Sequence, residues 1–310
     1  MANYIIGIDV GGTNIKLGLI NTKGKIIDRT RLNTKTFVHH KRKLMMAIVD
    51  SIRALIQKNQ LTRKKISAIG IGLPGAVDSF KGIVKSLPNI PHWKNVPLRK
   101  YIQKRLSIPV FMDNDVNLIT LGEWKFGAGR GYKNLICFTL GTGVGGGLIL
   151  NGALYRGERF VAGEIGHMPL NEIGPKCPCG GYGCFERYVG NARLQQQAQK
   201  IFRDSTLRLE DVFAAAERGD KRAIQFWETT ARHIGNALIG IVNLLNPKLI
   251  IVGGGVSNNF KFMGRAIKQV IQARAMKIQA QHVRVVRAKL GDDAGLLGAY
   301  ALIKEFTIER

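Results

Sequence analysis

Three apolar runs in this sequence each lead directly into a glycine-rich turn. Residues 4–10 precede Gly11-Gly12-Thr13, residues 135–140 precede Gly141-Thr142-Gly143, and residues 249–252 precede Gly253-Gly254-Gly255. Apolar strands that end in glycine turns, with helical patterns between them, predict an α/β fold. Glycine lets backbone N–H groups come close to a phosphate, so the first two turns are candidate phosphate cradles. Each turn taken alone fits a tight hairpin equally well.

The strand and helix patterns occupy both halves of the chain. Helical periodicity is clear over residues 44–56 and 224–245, and Asn246-Pro247 ends the second helix. Strands are predicted at 15–20 and 66–72, and a final helix from residue 294. We expect two α/β lobes that face each other over a cleft. Residues 1–116 form the smaller lobe, which the C-terminal helix 294–310 rejoins, and residues 117–293 form the larger lobe.

The balance of charge is strongly basic, with 47 Lys and Arg against 21 Asp and Glu and a formal net charge of +26. The basic residues are spread along the chain without a nucleic-acid-binding motif or interleaved aromatic residues, so solvated faces are favoured over a nucleic-acid surface. No segment approaches the roughly 20 apolar residues that cross a bilayer, and the first residues do not resemble a signal peptide. We therefore expect a cytoplasmic protein with neither a membrane nor a nucleic-acid partner.

Three of the four cysteines are crowded together. Cys177, Cys179 and Cys184 lie within eight residues, and His167 lies ten positions earlier. This set predicts a Cys3His tetrahedral zinc site without an open position, and hence a structural zinc. The alternative is a chance cluster of reduced, buried thiols. Cys137 falls inside a predicted strand and is assigned to the core.

Asp113-Asn114-Asp115 follows a short predicted strand, residues 110–112. Ligands of open α/β sheets bind at the carboxyl ends of strands, so these polar groups are well placed for chemistry. A carboxylate here can take the proton of an attacking hydroxyl, and Asp115 is the candidate. The alternative is a cap for a helix that begins near Asn117, and Asp113 fits that role. Asp9 is suited to water-coordinated magnesium.

Residues 7–13, Gly-Ile-Asp-Val-Gly-Gly-Thr, and the later Gly-Thr-Gly turn resemble the ATPase fold shared by sugar kinases, Hsp70 and actin, which has two ribonuclease H-like lobes. The cysteine region resembles one branch of that fold, the ROK family of bacterial sugar kinases and related repressors. The resemblance covers essentially the whole chain. It implies ATP and Mg²⁺ as cofactors, a structural Zn²⁺, a hexose substrate and a homodimer.

The resemblance also implies roles for individual residues. Asp115 is the general base. The residues that approach the sugar are Gly75, Asn89, Asn114, Asp115, Glu164, His167 and Glu186. The residues that bind the nucleotide and its metal are Asp9, Gly11, Gly12, Thr13, Gly141, Thr142, Gly143, Gly253, Gly254 and Gly255. The zinc ligands are His167, Cys177, Cys179 and Cys184. On the residues alone, Glu164 and Glu186 are equally well read as exposed loop charges.

The resulting hypothesis is an ATP-dependent kinase that phosphorylates a hexose hydroxyl, most simply the 6-hydroxyl of glucose. N-acetylglucosamine, N-acetylmannosamine and fructose are alternative substrates. A sugar-responsive ROK regulator is the alternative from another class. Such regulators carry a DNA-binding domain ahead of the kinase-like lobes, and here the first predicted strand begins at Tyr4. A third alternative, an ATPase without a sugar substrate, does not explain the cysteine loop and its glutamates.

Overall fold

The computed structural model describes residues 3–37, 40–88 and 93–308. Asn89, one of the predicted sugar contacts, lies outside the described residues. The strands are β1 (Tyr4–Val10), β2 (Asn14–Asn21), β3 (Ile26–Asn33), β4 (Ile66–Leu73), β5 (Val77–Asp78), β6 (Ile83–Ser86), β7 (Lys94–Val96), β8 (Val110–Asn114), β9 (Leu135–Leu140), β10 (Val144–Leu150), β11 (Ala153–Tyr155), β12 (Leu249–Gly253) and β13 (Arg284–Arg287).

The helices follow the same chain order. They are α1 (Lys41–Lys58), α2 (Leu98–Leu106), α3 (Asp115–Phe126), α4 (Glu186–Val189), α5 (Asn191–Phe202), α6 (Leu209–Glu217), α7 (Lys221–Leu245), α8 (Phe260–Arg274), α9 (Lys277–His282) and α10 (Ala294–Ile308). The predicted α/β class is confirmed. In the described part of the chain, no helix has the length and apolar character needed to cross a membrane.

The chain divides into two compact units. Unit 1 contains Met1–Arg130, Leu154–Ala162 and Leu290–Arg310, and unit 2 contains Gly131–Ala153 and Gly163–Lys289. This division differs from the predicted boundary after residue 116, because α3 belongs to unit 1. The buried Glu123 of α3 explains the difference, since its Oε1 atom accepts a 2.7 Å hydrogen bond from the backbone N–H of Leu290.

The main sheet of unit 1 has the strand order β3-β2-β1-β4-β8. Strands β1, β4 and β8 are parallel neighbours, and β1 pairs with β2 in antiparallel register. Because side chains alternate across a strand, Ile6 and Ile8 join the larger core with α1 and α2, while Ile5 joins a smaller core with α10. Both faces of the sheet are covered, and this explains why apolar side chains of β1 occur on both of its faces.

Helix α10 packs closely on this sheet, and a glycine makes that approach possible. A Cβ atom added to Gly70 in β4 would lie 2.6 Å from the carbonyl oxygen of Ala299 in α10. Any side chain at position 70 would therefore push α10 away from the sheet. The return of the C-terminal segment to the first part of the chain thus depends on a glycine in the middle of a buried strand.

Unit 2 is built on a sheet with the order β11-β10-β9-β12-β13. Strand β9 pairs with β10 in antiparallel register and with β12 in parallel register. The longest helix, α7, begins where Asp220 accepts hydrogen bonds from the N–H groups of Arg222 and Ala223. It ends at Asn246, which has φ 44° and is followed by a proline. The buried side chains of α7 and α8 share one core with the sheet.

Candidate functional site

The first glycine turn, residues 11–13, joins β1 to β2 in unit 1. The backbone N–H of Gly11 donates to the carbonyl of Asn14 at 2.9 Å. Thr34, whose side chain is fully buried, donates from its hydroxyl to the carbonyl of Gly11 at 2.8 Å and from its N–H to the carbonyl of Thr13 at 2.8 Å. Gly12 and Thr13 are exposed. The two hydrogen bonds from Thr34 therefore hold the buried side of the turn in place. The exposed side, formed by Gly12 and Thr13, is accessible to a ligand.

Asp9 precedes this turn and is half-buried. Burial raises the pKa of its carboxyl group, Lys16 opposes that shift and Asp292 adds to it, and the pKa is raised overall. Lys16 lies opposite Asp9 in β2 and forms a 2.8 Å ion pair with Asp292. A carboxylate that burial disfavours gains from a bound cation. Asp9 therefore fits a role in holding magnesium, directly or through water.

Asn114 and Asp115 stand where β8 passes into α3. The Oδ1 atom of Asn114 accepts hydrogen bonds from the N–H groups of Val116 at 2.8 Å and Asn117 at 3.2 Å, so Asn114 is the N-cap of α3. The helix begins at Asp115, two residues earlier than expected. Asp115 occupies the first helical position, where the helix dipole stabilises a carboxylate.

Asn114 also fixes the loop that contains Gly75. Its Nδ2 atom donates to the carbonyl of Gly75 at 3.1 Å. Gly75 has φ 81°, and an added Cβ atom would lie 2.6 Å from the carbonyl oxygen of Ser86, so glycine is required there. Two residues predicted to approach the sugar are thus directly hydrogen-bonded.

The candidate base lies on the same sheet edge as the first turn. In the sheet register, Gly72 of β4 stands between Asp9 of β1 and Asp113 of β8. Neighbouring strands are about 4.8 Å apart, so about 10 Å separates the backbones at Asp9 and Asp113. A Cβ atom added to Gly72 would lie 3.3 Å from the Cα atom of Asp115. The backbone of Asp115 therefore lies directly beside Gly72, near the end of β4.

Asp113 has a different role from the one that capping predicts. Its side chain is fully buried and forms a 2.6 Å ion pair with Arg156, which also pairs with Glu305 at 2.9 Å. Arg156 and Glu305 were not among the predicted site residues. Arginines are common in this basic chain, so the sequence does not distinguish Arg156 from the others. Its ion pairs with Asp113 and Glu305 are visible only in the folded structure.

The second glycine turn, residues 141–143, joins β9 to β10 in unit 2. The backbone N–H of Gly141 donates to the carbonyl of Gly143 at 3.0 Å, and the N–H of Asn191 donates to the carbonyl of Gly141 at 2.9 Å. Thr142 is exposed at the tip. Glu186 holds the far end of the turn, where its Oε2 atom accepts a 2.8 Å hydrogen bond from the N–H of Val144.

The third turn, residues 253–255, lies next to the second. Gly253 of β12 pairs with Thr139 of β9, so both turns leave the same edge of the sheet. Gly254 has φ 80°, and an added Cβ atom would lie within 3 Å of the Leu140 backbone, so only glycine fits. Unit 2 thus presents two adjacent glycine turns at the carboxyl ends of parallel strands.

The four predicted zinc ligands come together in unit 2. The ligand atoms of His167, Cys177, Cys179 and Cys184 all lie within 4.8 Å of one another. The Nδ1 atom of His167 is 3.7 Å from Cys177 Sγ, and the Sγ atoms of Cys179 and Cys184 are 3.6 Å apart. Zn–S bonds of about 2.3 Å give tetrahedral edges of about 3.8 Å, so the cluster has the dimensions of a zinc site.

The chemistry of the thiols also fits a dication. Burial, reinforced by the neighbouring thiols, raises the pKa of Cys184 to about 12. The thiolate form of Cys184 is therefore unfavourable without a positive charge beside it. A zinc ion held by the four residues would supply that charge, and a closed Cys3His set is typical of a structural zinc.

Glu164 and His167 lie in a short turn that packs on β10. Gly163 has φ 92° and contacts the backbone of Gly146. Glu164 is exposed, and its carbonyl accepts a 3.0 Å hydrogen bond from the N–H of His167. Because His167 directs Nδ1 to the cysteines, its Nε2 atom remains for a second partner.

The structure therefore assembles the predicted residues in two sets. Unit 1 contains Asp9, Gly11, Gly12, Thr13, Gly75, Asn114 and Asp115. Unit 2 contains Gly141, Thr142, Gly143, Glu164, His167, Cys177, Cys179, Cys184, Glu186, Gly253, Gly254 and Gly255. Thr34, Arg156 and Glu305 are additional groups outside any recognisable sequence motif, and Asp113, expected to act as a cap, joins them through its ion pair with Arg156.

Comparisons with known proteins find relatives over nearly the whole length of this chain. The model of the ROK family matches residues 5–306. The glucokinase of Halalkalibacterium halodurans is 34% identical over 97% of this chain and 95% of its own length. The crystal structure of a ROK family glucokinase from Streptomyces griseus, in complex with glucose and AMPPNP, is 32% identical with a TM-score of 0.81, over 96% of this chain and 97% of that one.

A regulator is also similar. The crystal structure of a ROK family transcriptional regulator, a homologue of the E. coli Mlc protein, superposes with a TM-score of 0.89 at 27% identity, over 98% of this chain and 78% of that one. Kinases and regulators thus share this fold. The family match spans nearly the whole chain, and the chain belongs to the ROK family.

Proposed function

We propose that the protein is an ATP-dependent hexose kinase in which Asp115 is the general base. The observation that carries the proposal is the position of Asp115, at the first turn of α3 and beside Gly72, on the sheet edge that also bears Asp9 and the first glycine turn. A base and a phosphate-binding turn on one edge are what phosphoryl transfer to an alcohol requires, because this reaction depends on alignment and charge neutralisation.

In the proposed reaction, the exposed backbone of the two glycine turns binds the phosphates of ATP. Asp9 holds Mg²⁺, which neutralises phosphate charge when bound. Asn114 and the residues ordered by the zinc loop, Glu164, His167 and Glu186, orient the sugar. Asp115 takes the proton of the attacking hydroxyl as that oxygen bonds to the γ-phosphorus and the bond to the β-phosphate oxygen breaks. The products are ADP and a hexose phosphate.

We further propose glucose as the substrate and its 6-hydroxyl as the acceptor. The glucokinase of H. halodurans, 34% identical over 97% of this chain, supports this choice over N-acetylhexosamines and fructose. Zinc, a homodimer and a cytoplasmic location are further parts of the proposal. The dimensions of the Cys3His cluster support zinc, and the ROK resemblance supports the other two.

A panel assay tests the proposal. Purified protein is incubated with Mg²⁺, ATP and one sugar at a time from glucose, mannose, fructose, N-acetylglucosamine and N-acetylmannosamine, and ADP release is measured. We expect release that depends on sugar and is fastest with glucose. Hydrolysis at one rate with or without sugar contradicts a sugar kinase.

A sugar-responsive regulator is the second candidate. The TM-score of 0.89 to a regulator and the net charge of +26 favour it. The panel assay separates the two, provided that DNA binding is measured on the same protein at physiological salt. Specific DNA binding without ADP release for any hexose reverses the ranking.

A further inference from the structure

A buried arginine connects three parts of unit 1. Arg156 donates from Nε to the Oδ2 atom of Asp113 at 2.6 Å and from Nη2 to Glu305 at 2.9 Å. The side chain of Arg156 is only 13% exposed, that of Asp113 is inaccessible, and that of Glu305 is 21% exposed. Removing one partner of such a buried ion pair leaves an uncompensated charge, so the three groups hold one another in place.

The second oxygen of Asp113 is turned toward α3. Its Oδ1 atom accepts hydrogen bonds from the N–H of Asn114 at 2.7 Å and from Nδ2 of Asn117 at 2.9 Å. The carboxylate thus contacts Arg156 on one side and the start of α3 on the other. The next residues along the chain are the N-cap Asn114 and the candidate base Asp115. Two peptide units therefore separate the Asp113 side chain from the candidate base.

Arg156 lies in a short segment of unit 1 that interrupts the chain of unit 2. Residues 154–162 belong to unit 1, yet the chain on both sides of them belongs to unit 2. The segment continues directly into Gly163 and Glu164, which begin the turn that carries His167. The ion pair between Arg156 and Asp113 therefore holds this segment of unit 1 against the strand that leads to the proposed base.

We propose that Arg156 is a positioning residue for phosphoryl transfer, which holds the Asp113 carboxylate and so fixes the direction of Asp115. This inference rests on the proposed function, because it requires Asp115 to be the base. A positioning role differs from a purely structural role. If Arg156 only supported folding, the folded protein without it would have the normal kcat. Small displacements of a reacting group can lower turnover by about 100-fold, so loss of Arg156 is expected to affect kcat.

A double-mutant cycle separates the two roles. Arg156→Met keeps the length of the side chain and removes its charge, and Arg159→Met is the matched control, since Arg159 is an exposed arginine of the same segment. Each is made alone and with Asp115→Asn, and kcat and KM for glucose and ATP are measured on folded protein.

We expect Arg156→Met alone to lower kcat about 10- to 100-fold, with less than about a twofold change in KM for ATP. In the Asp115→Asn background it lowers kcat by less than about twofold, because the base that it directs is already absent. Arg159→Met changes kcat in neither background.

If Arg156→Met does not fold, Arg156→Lys takes its place. Lysine keeps the positive charge but lacks the fork that reaches two carboxylates, so a smaller loss of kcat with the same pattern is expected. Equal losses in both backgrounds, with Asp115→Asn itself impaired, overturn the positioning role and leave the proposed function intact. Near-normal turnover of Asp115→Asn alone overturns the assignment of the base, and this inference with it.

Discussion

The Oε2 atom of Glu186 accepts a 2.8 Å hydrogen bond from the backbone N–H of Val144. Glu186 follows the last cysteine of the zinc cluster by two residues, and Val144 follows the second glycine turn directly. The carboxylate thus joins the metal loop to a proposed phosphate cradle. A single side chain thus connects the Cys3His loop to the turn that is proposed to bind ATP.

Replacement of Glu186 is expected to weaken ATP binding as well as sugar binding. Glu186→Ala leaves the Val144 N–H without its charged acceptor, a loss of about 1.5–3 kcal/mol, or roughly 10- to 100-fold. We expect KM for ATP to rise by about tenfold or more, while Glu186→Gln, which still offers an oxygen, changes it much less. Steady-state kinetics with varied ATP measure this. Glu172→Ala removes an exposed glutamate of the same loop, and equal KM values for Glu172→Ala and Glu186→Ala would contradict the link.

Zinc content tests the Cys3His cluster. The protein is expected to retain about one zinc ion per chain after dialysis, because all four ligand atoms are within 4.8 Å of one another. Cys184→Ser is expected to lose the ion and to unfold at a lower temperature. Elemental analysis and thermal unfolding measure both effects. Cys137→Ala is the control, since this buried cysteine lies outside the cluster, and it keeps its zinc. A wild-type protein free of zinc, with Cys184→Ser equally stable, would refute the site.

Asp9 is expected to decrease stability while it supports activity. Because burial raises its pKa in the folded protein, the folded state holds this proton more tightly than the unfolded state. As pH rises above the unfolded pKa of about 3.9, the unfolded chain releases the proton first, and the free energy of unfolding falls until the folded pKa is reached. Asp9→Asn is therefore expected to be more stable than the wild type at pH 7, with a difference that disappears below about pH 4.

Urea unfolding between pH 3.5 and 8 checks the Asp9 prediction, and a magnesium titration of ADP release should show a large loss in Asp9→Asn. Asp50→Asn, at an exposed position in α1, serves as the matched control. Lower stability of Asp9→Asn at pH 7 would contradict the assignment.

Thr34 is expected to matter for the first glycine turn. Thr34→Val keeps the shape but removes the hydroxyl that donates to the Gly11 carbonyl at 2.8 Å. We expect a loss of about 1 kcal/mol in stability and a rise of several-fold in KM for ATP. Thr36→Val, at an exposed position two residues later, should change neither. Unaltered ATP kinetics in Thr34→Val would show that the turn does not depend on this bond.

The sequence allowed prediction of the elements whose signals are local. The strand of residues 4–10, the helix that ends at Asn246 and the cysteine cluster each lie within a short stretch, where periodicity, turn residues or ligand spacing act directly. The contacts that support the site are different. Arg156 and Asp113 are 43 residues apart, Glu186 and Val144 are 42 apart, and Thr34 and Gly11 are 23 apart. A single sequence does not indicate which arginine forms an ion pair with which carboxylate, or which threonine donates a hydrogen bond to which carbonyl.

The extent of unit 1 could not be predicted for a related reason. Helix α3 runs from Asp115 to Phe126 without a change of composition, and only its packing shows that it belongs with the first part of the chain. The hydrogen bond between Glu123 and Leu290 spans 167 residues. A buried glutamate with a distant backbone partner gives no periodic signal, so the predicted boundary after residue 116 lies within the first turn of the helix.

The most direct test of the account is the turnover of Asp115→Asn. ADP release with saturating glucose and Mg-ATP is measured for the wild type and the variant, alongside zinc content and ATP-analogue binding for both. We expect kcat to fall by at least about 100-fold, as the loss of a general base implies, while zinc and nucleotide binding are retained. Turnover within a few-fold of the wild type would contradict the assignment of Asp115 as the base.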